Sequence, residues 1–125
     1  MHYQWKEDQP IYRQLRDQVY GLILDGTYVE GTSLPSVRQV SSDLSINHLT
    51  VSKAYQTLVD EGLLEKRRGL GMFVVSGAKM RILEQEKQKF LSVELPDFLA
   101  KTTKLGIATN DVIHLIRQAG EEYEP

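Results

Sequence analysis

Residues 47–75 read "NHLTVSKAYQTLVDEGLLEKRRGLGMFVV". In the first half Val51, Ala54, Tyr55, Leu58 and Val59 recur at the i, i+3, i+4, i+7, i+8 spacing of a helix with one buried face. The opposite face carries Leu49, Thr50, Ser52, Lys53, Gln56 and Thr57, short or polar side chains with one cation and no carboxylate. Such a face suits entry into a groove about 12 Å wide, where acids would be repelled by phosphate. Gly62 then ends the helix, and two strand-like runs, Leu63 to Lys66 and Met72 to Val75, flank Arg67 to Gly71. Gly69 and Gly71 allow positive φ at a hairpin tip. The tip belongs to "KRRG" (Lys66 to Gly69), the densest basic cluster of the chain.

Upstream, Ser36 stands three residues before Gln39, the capping-box spacing, and Val37, Val40, Ser41 and Leu44 form a short apolar stripe. Asn47 is a suitable cap for the helix that follows. Two short helices joined by so short a turn make a helix-turn-helix, and a basic hairpin directly after it makes the motif winged. Before this, Pro10 suits a first helical turn, Ile11, Leu15, Val19, Leu22 and Ile23 form one stripe, and Gly26 terminates it. Val29 to Pro35 reads as a loop or a short edge strand. The fold class expected is mainly α with a small β-hairpin wing: a winged helix-turn-helix over 1–76, followed by C-terminal α-helices over 77–125.

Composition fits a folded protein of one modest domain, or a small domain with an appendage. Of 125 residues, 41% are hydrophobic and 26% charged, values ordinary for a globular chain and unlike a disordered one. No apolar run approaches the roughly 18 residues of a membrane helix, and "MHYQWKEDQP" has no apolar signal region. With no cysteine there is no disulfide framework, thiol nucleophile or thiolate zinc site, and a cytoplasmic protein is expected. Net charge is −2. A phosphate backbone responds to the local cluster, not to that average. His2, His48 and His114 lack metal-ligand spacing, the serines lack a base in a recognisable order, and Gly69 and Gly71 do not open a helix after a strand. No enzyme, cofactor or metal is therefore expected.

From Met80 onward, Leu83, Phe90, Leu91, Leu95, Phe98 and Leu99 lie on a rough helical stripe that Pro96 should kink or split. A last helix, capped at Thr109, carries Val112, Ile113, Ile116 and Ala119 on one face. These stripes are too short to build a separate ligand-binding domain, so they need a partner, either the first domain or a second copy of the chain. Two-fold pairing is the commonest solution, which makes Leu83, Phe90, Leu91, Phe98, Val112, Ile113 and Ile116 the expected homodimer interface.

The stretches "PIYRQLRDQV", "LPSVRQVSSDLSIN" and "TVSKAYQTLVDEGLLEKRRGLGMFV" resemble the DNA-binding domain of the GntR family of bacterial transcription regulators. The resemblance covers roughly Pro10 to Val75, and the short tail resembles that of the YtrA subfamily. It implies a dimeric repressor on an inverted-repeat operator in double-stranded DNA, with a transporter operon as its target and an unknown small-molecule effector left open. It implies DNA contacts from Ser36 and Arg38 on the second helix, and from Asn47, His48, Leu49, Thr50, Ser52 and Lys53 at the start of the recognition helix. Arg67, Arg68 and Gly69 would contact DNA from the wing. Tyr12 is either a backbone contact through its hydroxyl or a packed aromatic, and Asn47 suits a cap better than a base reader. Ser45 stands where many relatives have Gly, so the turn must hold a side chain, with αL geometry as one solution. Leu49 replaces a common Asn or Thr, offering apolar contact to a thymine methyl in place of a hydrogen bond. The alternative is a winged-helix protein-interaction module without sequence-specific DNA binding.

Overall fold

The computed structural model describes residues 4–123. The chain forms α1 (Ile11–Leu24), α2 (Val37–Leu44), α3 (His48–Asp60), β1 (Leu64–Arg67), β2 (Gly71–Val74), α4 (Ala78–Lys89), a π-helical turn (Phe90–Glu94), α5 (Leu95–Lys104) and α6 (Thr109–Tyr123). It divides into two compact units, the first running to Glu84 and the second starting at Gln85.

In the first unit the helix-period stripes meet. Leu15, Val19 and Ile23 of α1, Val40 of α2 and Val51, Ala54, Tyr55 and Leu58 of α3 form one core with Leu63, Leu64 and Val74 of the wing. Each fully buried aliphatic contributes about 1.5–3 kcal/mol relative to exposure. The core also takes in Ala78 and Ile82 of α4. The first unit therefore reaches past residue 76, and the face of α4 that packs is not the one carrying Met80 and Leu83, both of which are exposed. Arg81 reinforces this packing by donating from Nη1 to the Gly62 carbonyl at 3.1 Å. Gly62 has φ +78°, and a Cβ there would lie 2.1 Å from that guanidinium nitrogen, so a side chain would displace Arg81. Gln14, the one buried polar residue among the described residues, accepts from Lys6 N–H at 2.7 Å and donates to the Lys6 and Gln9 carbonyls. It thereby fixes the segment entering α1 with its own buried amide satisfied.

Local chemistry sets the helix-turn-helix. Ser36 Oγ accepts from Gln39 N–H at 3.1 Å, completing half of the capping box. The Gln39 side chain turns instead to Asp43 Oδ1 at 2.8 Å, so the reciprocal bond is not made. Asn47 Oδ1 accepts from Leu49 N–H at 2.8 Å and caps α3. Between them Ser45 adopts φ 54°, ψ 46°, so the turn holds a side chain in αL geometry, one of the solutions open to it. The Ser41 hydroxyl donates to the Ile46 carbonyl and holds the turn closed.

The wing pairs Leu64 with Val74, Glu65 with Phe73, Lys66 with Met72 and Arg67 with Gly71. Both strands sit one residue nearer the tip than the hydrophobic runs suggested, because Leu63 is drawn into the end of α3, where its N–H donates to the Leu58 carbonyl. Leu70 N–H donates to the Arg67 carbonyl at 2.9 Å, closing a turn with Gly69 at φ +77°. That third position of a type II turn favours glycine. The Val29–Pro35 segment resolves as an edge: Ser33 bridges Phe73, and Leu34 N–H donates to the Met72 carbonyl.

In the second unit Pro96 splits the helical run as expected. Its ring crowds the carbonyl four residues back and supplies no N–H. The chain absorbs this in the π turn, where Leu95 N–H reaches back five residues to the Phe90 carbonyl. α6 begins with Thr109 as its first helical residue. The capping position falls on Ala108, whose carbonyl accepts from Asp111 and Val112 N–H, so Thr109 is not the cap. Val112 is 8% exposed within the chain, whereas Phe90, Leu91, Phe98, Ile113 and Ile116 remain exposed, as does Leu83 of the first unit.

Candidate nucleic-acid interface

The exposed face of α3 is held in place by two contacts that come from its buried side. Tyr55 donates its hydroxyl to the Pro35 carbonyl at 2.6 Å, fastening the residues just before α2 to the middle of α3. Burial raises the Tyr55 pKa, so the hydroxyl stays a donor. At the C-terminal end, the Tyr20 hydroxyl donates to Glu61 Oε2 while Arg16 lies 3.8 Å from Glu61 Oε1, which clamps α1 to the helix end. α3 is thus fixed at its middle and its end, and its first two turns are free to face a ligand.

Of the residues expected to meet DNA, most are brought to one region. Arg38 and His48 line one hollow with Val37 and Ser41. Ser36 and Ser52 line a neighbouring open cleft of about 410 Å³, whose far wall is the wing, through Lys66, Arg67, Gly69 and Leu70. Among the described residues no carboxylate lines that cleft. Leu49, Ser52 and Lys53 are exposed and Thr50 is half-buried. Asn47 spends its side-chain oxygen on the cap, in keeping with its sequence context.

Tyr12 and Lys53 prove to be neighbours: the Lys53 ammonium lies 4.2 Å from the Tyr12 ring centre. At that range the ring attracts the cation electrostatically, by about 0.5–1 kcal/mol at an exposed site. The two wing arginines differ. Arg67 Nε is 2.7 Å from Glu65 Oε1, and its guanidinium stacks 4.1 Å from the Phe73 ring centre. Arg68 forms no ion pair among the described residues and is exposed.

Gln56, Lys66 and Leu70 line the cleft without being among the residues expected to contact DNA. Gln56 lies one turn after Ser52 on the same face, a signal the helical period already contained. Its amide donates to Asp60 Oδ1 at 2.9 Å. Lys66 and Leu70 line the cleft only because of the wing's register and turn, which no local pattern discloses. No group of His, Asp and Glu among the described residues could hold a metal ion, and no described helix is long and apolar enough to cross a membrane.

Comparison with known proteins agrees with this geometry. Residues 11–74 match the model of "Bacterial regulatory proteins, gntR family". The chain is 28% identical over 117 residues to the HTH-type transcriptional regulator YhcF of Bacillus subtilis strain 168, covering 94% of this chain and 95% of that one. It is 39% identical over 79 residues to the HTH-type transcriptional repressor YtrA of the same organism, covering 63% of this chain and 61% of YtrA. A crystal structure of a GntR-family regulator from Bacteroides thetaiotaomicron superposes with a TM-score of 0.76 at 32% identity, over 91% of this chain and 99% of that one. A helix-turn-helix that matches regulators along nearly its whole length supports DNA binding over a protein-interaction module. The chain belongs to the GntR family, as a DNA-binding transcriptional regulator with YtrA among its relatives.

Proposed function

We propose that the chain is a cytoplasmic homodimeric repressor, without catalytic activity, that reads an inverted-repeat operator. Each subunit would place the first turns of α3 in a major groove and its wing tip against the adjacent backbone or minor groove. The observation that carries the reading is the acid-free cleft between α3 and the wing, walled by Ser36, Ser52, Gln56 and Lys66. With Lys66 on its wall and no acid, that surface suits a phosphate backbone laid across its mouth. Arg38, His48, Leu49, Thr50, Ser52 and Lys53 would contact bases and phosphates, with Arg68 and Gly69 at the wing tip. Repression is supported by the likeness to YtrA, which is named a repressor. Exposed apolar side chains of the second unit support pairing by residues 85–125.

Selection of bound duplexes from a random-sequence pool tests this. Enrichment of a two-fold symmetric site is the expected result, with binding that weakens steeply as salt rises. Recovery of no preferred sequence, with binding insensitive to salt, would overturn it.

A further inference from the structure

The two arginines of the wing are adjacent in sequence but are placed differently. Arg67 is the last residue of β1 and is paired with Gly71. Glu65 lies two residues earlier on the same strand face, and Phe73 lies directly across from Glu65. These three side chains make one cluster: the Glu65 carboxylate 2.7 Å from Arg67 Nε, and the Phe73 ring 4.1 Å below the guanidinium. Phe73 is anchored in turn by its bridge to Ser33, on the segment that leads into α2. Arg68 stands outside this cluster. It occupies the second position of the turn closed by Leu70 N–H and the Arg67 carbonyl, with Gly69 next to it.

Resting on the DNA-binding reading above, we propose that Arg67 is a positioning residue that stiffens the wing, and that of the two wing arginines it is Arg68 that supplies charge to DNA. The Arg67 guanidinium has its charge offset by Glu65 at Nε and one face stacked on Phe73, so it offers a phosphate less than an unpaired guanidinium does and strains these contacts in reaching for one. Arg68 strains neither. The Arg67 cluster instead fixes the plane of the hairpin just below the tip, so that Arg68 meets the duplex with less freedom to lose. This narrows the expectation that both arginines touch DNA, and it makes Arg68 the wing's determinant of groove shape, since arginine is drawn to narrow minor grooves.

The test measures binding of the full-length protein to a mixed-sequence duplex, and to duplexes it selects from a random pool, across a range of salt. Arg68→Gln should lower the salt slope on both by about 0.9, the share of one phosphate contact. Arg67→Gln should leave that slope unchanged and weaken binding about two- to fivefold, the scale of a surface stacking and ion-pair contribution. That loss should vanish when Arg68→Gln is already present, because Arg67 acts through Arg68. Arg67→Lys keeps a cation beside Glu65 and Phe73 and should restore most of the affinity. A slope lowered by Arg67→Gln as much as by Arg68→Gln, or losses that simply add, would overturn the proposal while leaving the DNA-binding reading intact. A wild-type protein with no salt-dependent binding to either duplex would overturn that reading and this proposal with it.

Discussion

The ammonium of Lys53 rests 4.2 Å from the centre of the Tyr12 ring, joining the recognition helix to the first helix on the face proposed for DNA. The ring offers a platform that holds a flexible cation near where a phosphate would lie, and so reduces the entropy lost on contact. If the ring is what matters, Tyr12→Phe should bind like wild type. Tyr12→Ala should weaken binding about two- to fivefold through loss of the stacking. Lys53→Gln should cost more, and lower the salt slope by about 0.9. Salt titrations by fluorescence anisotropy separate these outcomes, and a loss in Tyr12→Phe equal to that in Tyr12→Ala would place the hydroxyl on the DNA backbone.

Arg38 tests the direct readout. It is exposed and shares a hollow with His48 at the start of α3. Arg38→Ala should leave the thermal transition unchanged and weaken binding to the selected operator by about 1–3 kcal/mol. Unchanged affinity in a folded variant would remove Arg38 from the interface.

Ser45 carries a strained backbone at φ 54°, ψ 46°. A left-handed residue with a Cβ is disfavoured by about 1–2 kcal/mol, partly offset by the greater unfolded-state freedom of glycine. Ser45→Gly should therefore stabilise the protein by up to about 1 kcal/mol in chemical denaturation, with operator affinity unaltered. Ser45→Val, a β-branched residue in the same conformation, should destabilise it.

The clamp at the end of α3 makes stability sensitive to alkali. Burial, then the hydrogen bond to Glu61 and its charge, raise the Tyr20 pKa, with Arg16 opposing; burial raises that of Tyr55. An unfolded tyrosine loses its proton near pH 10. Above that, the folded state binds more protons than the unfolded state, so stability is fully present below about pH 10 and falls as pH rises further. Tyr20→Phe should be less stable at neutral pH, because Glu61 loses its donor, but should show a shallower decline above about pH 10. Urea midpoints measured across the alkaline range check both halves of that expectation.

How far the sequence discloses this molecule depends on the distance over which each feature is determined. The caps at Ser36 and Asn47, the αL turn at Ser45 and the apolar stripe of α3 all depend on neighbours within a turn or two. They were readable. The Tyr12–Lys53 contact joins residues from different helices, and nothing near either one announces it. The wing shows the intermediate case. A shift of one residue moves Arg67 from the tip into β1, opposite Gly71 and beside Glu65, and only that register reveals its commitment. In α4 the expected stripe runs through Met80 and Leu83, while packing takes Ala78 and Ile82, one turn apart on the adjacent face.

That choice by α4 bears on how the tail can be cut. Ala78 and Ile82 are buried in the first unit, and Arg81 holds the Gly62 carbonyl. A chain ending at Val75 loses all three contacts, and the loss of Ile82 alone should cost about 2–5 kcal/mol. A chain ending at Glu84 keeps them. The shorter fragment should therefore melt well below the longer, and the longer should fold as a monomer that binds DNA weakly, since a single half-site remains to each protein. In the full-length chain, Ile116 is 60% exposed and Phe98 47% exposed, so a charge at either site adds no burial cost within one subunit. Phe98→Glu and Ile116→Glu should accordingly stay folded by circular dichroism, yet separate the dimer in light scattering and lose operator affinity. Val112, already buried within its own subunit, should behave differently, with Val112→Glu destabilising the chain itself. A full-length protein that scatters as a monomer at micromolar concentration while holding its operator tightly would remove pairing from the mechanism.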